Sequence, residues 1–448
     1  MPELLDRVTV VRHALGEGRR MFRDRAALER HQERLAVHHL RWVAAHSPFT
    51  ARRFLEAGLG LGQWRELPPV DKAGMMAAFD TLNTAGLCLT DVLAVARRAE
   101  DTRDFTPTLP TPRGPVTVGL SSGTGGNAGA FVVSRGERLQ WAGVVLRWLL
   151  PAFPLGLLHR QRVAFVLRAD GGLYRSVGSA RLAFRFLDLL RPLDELAADL
   201  TAYAPTLLIG PPSVLRALLG AGAVAQPTRV VSVAEVLEDD DRAALERGFG
   251  PVVQVYQATE GLLGLPCPHG HLHLNEGHVH FDFEPVGGPG DGGHLRPVLT
   301  DLRRTTQPMI RHRLDDLLVL ADRCSCGLAS RRVLRVAGRQ DDALSLPGGA
   351  GRVTVWPDFL RGAMNRVPGL REYRVEQIGA ADLRVLLDPL TPETWQEACV
   401  QICGALTRSG ADAVRVRLGV QPLPAALPGV KRRRVRRLWR PESGEGPS

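Results

Sequence analysis

A chain of 448 residues, 44% of them hydrophobic, can build more than one core, because single domains usually hold roughly 100–200 residues. The longest apolar stretch, Trp141 to Leu158, is interrupted by Arg147, Pro151 and Pro154, so it does not offer the roughly 20 unbroken apolar residues of a membrane-spanning helix. Acidic residues in Met1 to Gly16 and the lack of a short apolar block exclude a signal peptide, and six cysteines do not make the framework of a small secreted domain; a reducing, cytoplasmic compartment is expected.

The formal charge of +10 invites a nucleic-acid reading. Its distribution weakens that reading, because arginine is spread along the chain. The dense run is Lys431-Arg432-Arg433-Arg434, continued by Arg436, Arg437 and Arg440, which taken alone reads as a solvated basic tail.

In chain order, residues 1–110 read as mainly helical. Arg25 to Ala45 lacks Gly and Pro and spaces Leu28, Leu35, Trp42 and Val43 at helical intervals, with Ser47-Pro48 as its stop. From Val116 the texture changes to strands alternating with helices, the pattern of an α/β architecture with a mostly parallel sheet. Strands are expected at Val163–Leu167, Thr206–Ile209, Arg229–Val233 and Pro251–Val255, with helices at Pro212–Leu219 and Glu238–Gly248. A break at Gly338-Arg339 leads into a small α+β segment: strands Tyr373–Ile378 and Leu383–Leu387, helix Pro392–Leu406 and strand Ala413–Leu418. This divides the chain into a large domain at 1–337, a hinge at 338–342, a small domain at 343–440 and a tail at 441–448.

Directly after the apolar Val116 to Leu120 comes Ser121-Ser122-Gly123-Thr124-Gly125-Gly126-Asn127. Hydroxyls packed among glycines give a loop whose N–H and O–H groups can converge on phosphate oxygens, although the same composition suits a surface turn. The Gly-Lys-Ser/Thr ending of P-loop NTPases is absent, and no Gly-x-Gly-x-x-Gly opens a βαβ unit.

With the motifs that follow, this loop resembles the phosphate-gripping signature of the acyl-adenylate-forming superfamily, in the branch of phenylacetate–CoA ligase and the deazaflavin-coenzyme synthetases. Tyr256-Gln257-Ala258-Thr259-Glu260 is similar to its Tyr-x-x-Thr-Glu stretch. The likeness implies that Thr259 contacts the α-phosphate, Glu260 holds Mg2+ and Tyr256 packs on adenine. Arg311-His312-Arg313-Leu314-Asp315-Asp316 resembles Arg-Tyr-Arg-x-x-Asp, which gives Asp316 the ribose hydroxyls, with His312 in place of the usual Tyr. Gly338-Arg339-Gln340-Asp341-Asp342 resembles the hinge, with Arg339 near the ribose. Lys431-Arg432-Arg433-Arg434-Val435 is similar to the terminal motif whose Lys enters the site for adenylation. Leu67-Pro68-Pro69-Val70-Asp71-Lys72 also fits the branch. The resemblance implies a large multi-layer adenylation domain with a small mobile one, ATP and Mg2+ as cofactors, and a carboxylic acid as substrate. It leaves the acid open, as well as the acceptor, which is CoA, a carrier protein, an amine or none. It leaves room for a homodimer and expects neither a membrane nor a nucleic-acid partner.

Cys267, His269, His271 and His273 precede a distant Cys324-Ser325-Cys326-Gly327. Thiolate and imidazole suit zinc, while reduced thiols beside surface histidines are the plainer reading. Relatives in the same branch have a similar set, which implies a structural Zn2+ held by Cys267, His273 with Glu276, Cys324 and Cys326, with His271 competing with His273. Cys399 and Cys403, four apart on a helix, read as packing inside the small domain.

Overall fold

The computed structural model describes residues 2–120, 129–167, 181–287, 293–349, 351–424 and 432–439. The chain divides into two compact units. The first comprises Met1–Phe283, Pro297–Leu314 and Leu320–Leu334, and the second Glu284–Arg296, Asp315–Val319 and Arg335–Ser448.

In the first unit the N-terminal region is helical, as its periodicity predicts. The helix Arg25–His46 starts at Asp24, whose carboxylate accepts the Ala27 N–H at 2.9 Å. It stops at Ser47, whose hydroxyl in turn caps the next helix, Pro48–Glu56, through the Thr50 N–H at 3.2 Å. Strands β1 (Thr108–Leu109), β2 (Val116–Leu120) and β3 (Ala130–Ser134) form a small antiparallel sheet in the order β1-β2-β3. Helix Leu89–Thr102 buries Val92 and Ala96 against it.

The expected parallel sheet is present: β4 (Gln161–Leu167), β5 (Leu182–Asp188), β6 (Leu207–Gly210), β7 (Arg229–Ser232) and β8 (Val252–Gln254), in the order β5-β4-β6-β7-β8. Successive side chains point to opposite faces of a strand, and the two faces bury into separate cores. Ala164, Val166, Leu208, Val230 and Val252 pack with Leu196, Leu215 and Leu245. Val163, Phe165, Ile209, Val231 and Val253 pack with Val144 and Leu149. Both faces being covered explains why these strands read as apolar runs.

Beyond β8 the first unit turns antiparallel, which the sequence did not suggest. Strands β9 (Tyr256–Ala258), β10 (Gly261–Pro266) and β11 (Leu272–Leu274) form a meander. Farther on, within β13 (Leu295–Asp301), which follows β12 (Val279–Pro285), Val298 and Leu299 pair with β14 (His312–Arg313). The other edge of β14 takes the Leu67–Lys72 segment: the Val70 N–H donates to the Arg311 carbonyl at 2.9 Å, and the Arg313 N–H donates to the Val70 carbonyl at 2.8 Å.

The second unit holds most of β15 (Asp316–Ala321), the end of β16 (Arg332–Arg339), the hairpin β17 (Leu344–Gly348)–β18 (Gly351–Val355), and a four-stranded sheet. That sheet is ordered β21-β20-β19-β22, from β19 (Glu372–Gln377), β20 (Asp382–Asp388), β21 (Arg417–Pro422) and β22 (Val435–Arg437). Helices Pro357–Met364 and Pro392–Arg408 close its core through Leu360, Met364, Ala398, Ile402 and Leu406. The strand expected at Ala413–Leu418 begins later. Asp412 instead nucleates a turn, accepting the Arg415 N–H on its carbonyl and the Val414 N–H on its carboxylate, and Val414 is 95% exposed. Cys399 and Cys403 are half-buried on their helix, not inside the core.

Candidate active site and candidate metal centre

The Ser121, Ser122, Gly123, Thr124, Gly125 and Gly126 loop and Lys431 lie outside the described residues. The other expected site residues can be placed, each in its own unit.

In the first unit, Thr259 and Glu260 are the two loop residues of the β9–β10 hairpin, in which Ala258 faces Gly261. Gly261 follows with φ +153, a region side chains rarely adopt, and a Cβ there would sit 3.4 Å from an Asp301 carboxylate oxygen. Glu260 is 7% exposed. Burial alone would push its carboxyl up. The His312 imidazole, the Lys72 ammonium and hydrogen bonds from its own N–H and the Thr259 hydroxyl outweigh burial and hold it below the usual glutamate range. His312, 1% exposed on β14, approaches with Nε2 3.8 Å from Glu260 Oε1. Tyr256 is buried on β9.

Sequence reading missed three parts of this site. Lys72 belonged to a quoted motif but had no role; the pairing of Val70 with β14 brings it to Glu260. His312 was noted only as a departure from Tyr. Arg304, 1% exposed, donates from Nη1 to the Thr259 carbonyl at 2.7 Å, and nothing in Arg303-Arg304-Thr305-Thr306-Gln307 singles it out along the chain.

In the second unit Asp316 opens β15 and faces Arg339 at the end of β16. Arg339 Nη2 lies 3.0 Å from Asp315 Oδ2, and its Nε lies 4.0 Å from Asp316 Oδ1. Burial would lower the guanidinium pKa, but Asp316, Asp315, Asp341 and Asp342 together raise it. Gly338 carries φ +116, and a Cβ there would meet Arg361 Nη1 at 3.0 Å, so this joint needs glycine. Four arginines of the basic run make ion pairs within the unit: Arg432 and Arg434 pair with Glu372, Arg433 with Asp342, and Arg436 with Glu376. Charges committed to ion pairs within the unit are poor phosphate ligands, which counts against a nucleic-acid-binding tail.

The second candidate centre lies in the first unit. Cys267, His273, Cys324 and Cys326 bring one donor atom each to within 4.8 Å of one another. Cys267 Sγ lies 3.9 Å from Cys324 Sγ, and Cys326 Sγ lies 3.5 Å from His273 Nε2. A tetrahedron with Zn–S near 2.3 Å and Zn–N near 2.0 Å has edges of roughly 3.5–3.8 Å, so the set fits Zn2+. Backbone geometry prepares it: Gly270, with φ +79, donates to the Cys267 carbonyl, and Gly327, with φ +74, donates to the Cys324 carbonyl. The Leu328 N–H points at Cys326 Sγ at 3.5 Å. His273 Nδ1 donates to the Ser330 carbonyl at 2.8 Å, which leaves the Nε2 lone pair for a metal. His271 stands beside the quartet, with Nδ1 3.2 Å from Cys324 Sγ. Glu276 is committed elsewhere, to Arg25 at 2.8 Å and the Arg331 N–H at 2.7 Å. Burial, with Cys324 and Cys267 alongside, pushes the Cys326 thiol up to about 11. Its thiolate form would need a cation beside it, which a divalent metal supplies.

No protein-family model matches the sequence, and no curated protein matches it significantly. Solved structures do. The chain superposes on 2-hydroxyisobutyryl-CoA ligase in its postadenylation state with 2-HIB-AMP at TM-score 0.66 and 16% identity, covering 92% of this chain and 89% of that one. The same enzyme with R3-HIB-AMP gives 0.64 and 18% over the same shares. GH3.15 acyl acid amido synthetase gives 0.54 and 13%, over 88% of this chain and 86% of that one. At such identities the likeness speaks for architecture, and in architecture this chain has the α/β fold of the adenylate-forming ligases.

Proposed function

We propose that the chain is an adenylate-forming ligase of the cytoplasm that activates a carboxylic acid with ATP as acyl-AMP, releasing pyrophosphate, and then passes the acyl group to CoA or another thiol. The carrying observation is a buried carboxylate, Glu260, held charged at a tight hairpin turn of this fold. Ionised carboxylates are rarely buried without a cation to meet.

In the first half-reaction a carboxylate oxygen attacks the α-phosphorus while its bond to the pyrophosphate oxygen breaks. Like charges approach and negative charge builds on the leaving group, so fixed donors and cations do the work. Ser121 to Gly126 would donate to the phosphates, Thr259 to the α-phosphate, and Lys431 would bring its ammonium. Tyr256 would pack on adenine, and Asp316 with Arg339 would hold the ribose. Glu260 is the group to hold Mg2+, which when bound supplies charge neutralisation on the phosphates. Lys72, a fixed cation near Glu260, limits the repulsion this carboxylate would exert on an incoming polyphosphate. Solved neighbours in this fold include an acyl-CoA ligase and an amido synthetase, so an amine or a carrier protein is the competing acceptor.

The cysteine cluster is read as a structural Zn2+ site: four protein ligands leave no open position, and the ion would tie the β10–β11 turn to the Cys324–Cys326 turn.

The test is pyrophosphate release with ATP and Mg2+ against a panel of aryl, fatty and amino acids. Release is expected with one acid class, and it falls about hundredfold or more in Glu260→Ala and Lys431→Ala. Release from no acid, together with no ATP binding, would sink the reading.

A further inference from the structure

Arg304 is a guanidinium at 1% exposure, and its hydrogen bonds join two segments far apart in sequence. Nη1 donates to the Thr259 carbonyl at 2.7 Å, and Nη2 to Gln307 Oε1 at 2.9 Å and to the Val132 carbonyl at 3.4 Å. Val132 lies on β3, the strand that directly follows the Ser121–Gly126 segment in sequence. Strand β3 is at the edge of its sheet, and its free edge is closed by side chains instead of a strand. Gln307 accepts the Val132 N–H at 3.0 Å and donates to the Ala130 carbonyl at 3.4 Å. The turn carrying Arg304 is itself fixed, since Asp301 accepts the Arg303 and Arg304 N–H groups at 2.8 and 2.9 Å. Glu137 accepts the Thr305 and Thr306 N–H groups at 2.6 and 2.9 Å.

A neutral donor would satisfy the Thr259 carbonyl at lower desolvation cost. Burying a guanidinium here has a reason in geometry: its planar fork donates in two directions at once and so sets the spacing of the two segments. Charge adds to it, because Glu137, Asp301 and Glu260 all act on Arg304.

We propose that Arg304 is a positioning residue for adenylation: it locks the Thr259–Glu260 turn to β3, so that the Thr259 hydroxyl and the Glu260 carboxylate keep fixed places for the α-phosphate and Mg2+. It touches no substrate. This role rests on the function proposed above.

The experiment uses the full chain and the acid that the panel selects, and measures ATP–pyrophosphate exchange with a Mg2+ titration at each variant. In Arg304→Met, kcat is expected to fall about ten- to hundredfold, and the Mg2+ concentration for half-maximal exchange to rise at least threefold. KM for the acid should stay within twofold. Arg304→Lys, which keeps the charge and one donor, should recover part of kcat. Gln307→Glu, which leaves Thr259 its donor, is the folding control and should show the smaller Mg2+ shift. Exchange by Arg304→Met that falls only in proportion to its folded fraction, with an unmoved Mg2+ curve, would make the residue structural and overturn the proposal. Failure of the wild type to exchange with any acid would instead overturn the function, and this role with it.

Discussion

Strand β10 has a candidate site at each end, and the two are built in opposite ways. At its start stands Glu260; just past its end stands Cys267. The cysteine end is closed by local geometry, with two glycine turns that aim their own ligands inward. The glutamate end is assembled from Lys72, His312 and Arg304, which come from distant parts of the chain. A structural site gains from being sealed by its own turns, whereas a catalytic site must stay open and borrow its rigidity from a surrounding network.

The largest effect is expected at the sealed end. Cys324→Ser, or exhaustive chelation, should remove one bound zinc per chain and lower stability by about 3–5 kcal/mol, read by metal analysis and denaturant unfolding. Exchange activity per folded molecule should change little. A loss of activity without a loss of stability would break the contrast and move the cluster into the chemistry.

Acid sharpens the comparison once a competing titration is removed. Burial pushes the His39 imidazole down to about 4, so the folded state holds it neutral while the unfolded chain takes up a proton near its ordinary 6.5. Stability is then full above pH 6.5, falls as pH drops from 6.5 to 4, and levels off below, by about 3 kcal/mol in all. Unfolding of His39→Gln at pH 7 and pH 4.5 should show that slope flattened. The acid-induced loss that persists is shared by the metal ligands and by the His13 and His31 imidazoles, which burial also pushes down. An unchanged slope in the variant would remove His39 from the account.

The smallest effect concerns the brace behind the cysteine end. Glu276 is 1% exposed and accepts from Arg25 and the Arg331 N–H. Glu276→Gln should cost about 1–2 kcal/mol in unfolding while zinc content stays intact. Zinc lost in that variant would restore Glu276 as a ligand.

Local signals carried most of this fold. The parallel strands announce themselves as apolar runs because both faces are covered, and the helix Arg25–His46 is bounded by the caps its sequence displays. The cluster of Cys267, His273, Cys324 and Cys326 was readable because paired cysteines with nearby histidines stand out along the chain. The antiparallel strands after Tyr256 were not, since several are only two or three residues long and depend on partners far along the chain. Arg304 was invisible for the same reason: its meaning comes from burial and from Thr259 and Val132, and an arginine in an arginine-rich chain gives no local hint of either. Strand β22 was hidden more thoroughly, under a run of like charges that becomes a strand only because Glu372, Glu376 and Asp342 await it.

That last pairing bears on how the protein can be cut. Trimming what looks like a charged appendage from residue 431 onward would pull an edge strand out of the second unit's sheet, and would strip Glu372 of Arg432 and Arg434 and Asp342 of Arg433. Inactivity of so shortened a chain would say nothing of Lys431 itself. The role of that lysine has to be asked by changing one side chain while the strand stays in place.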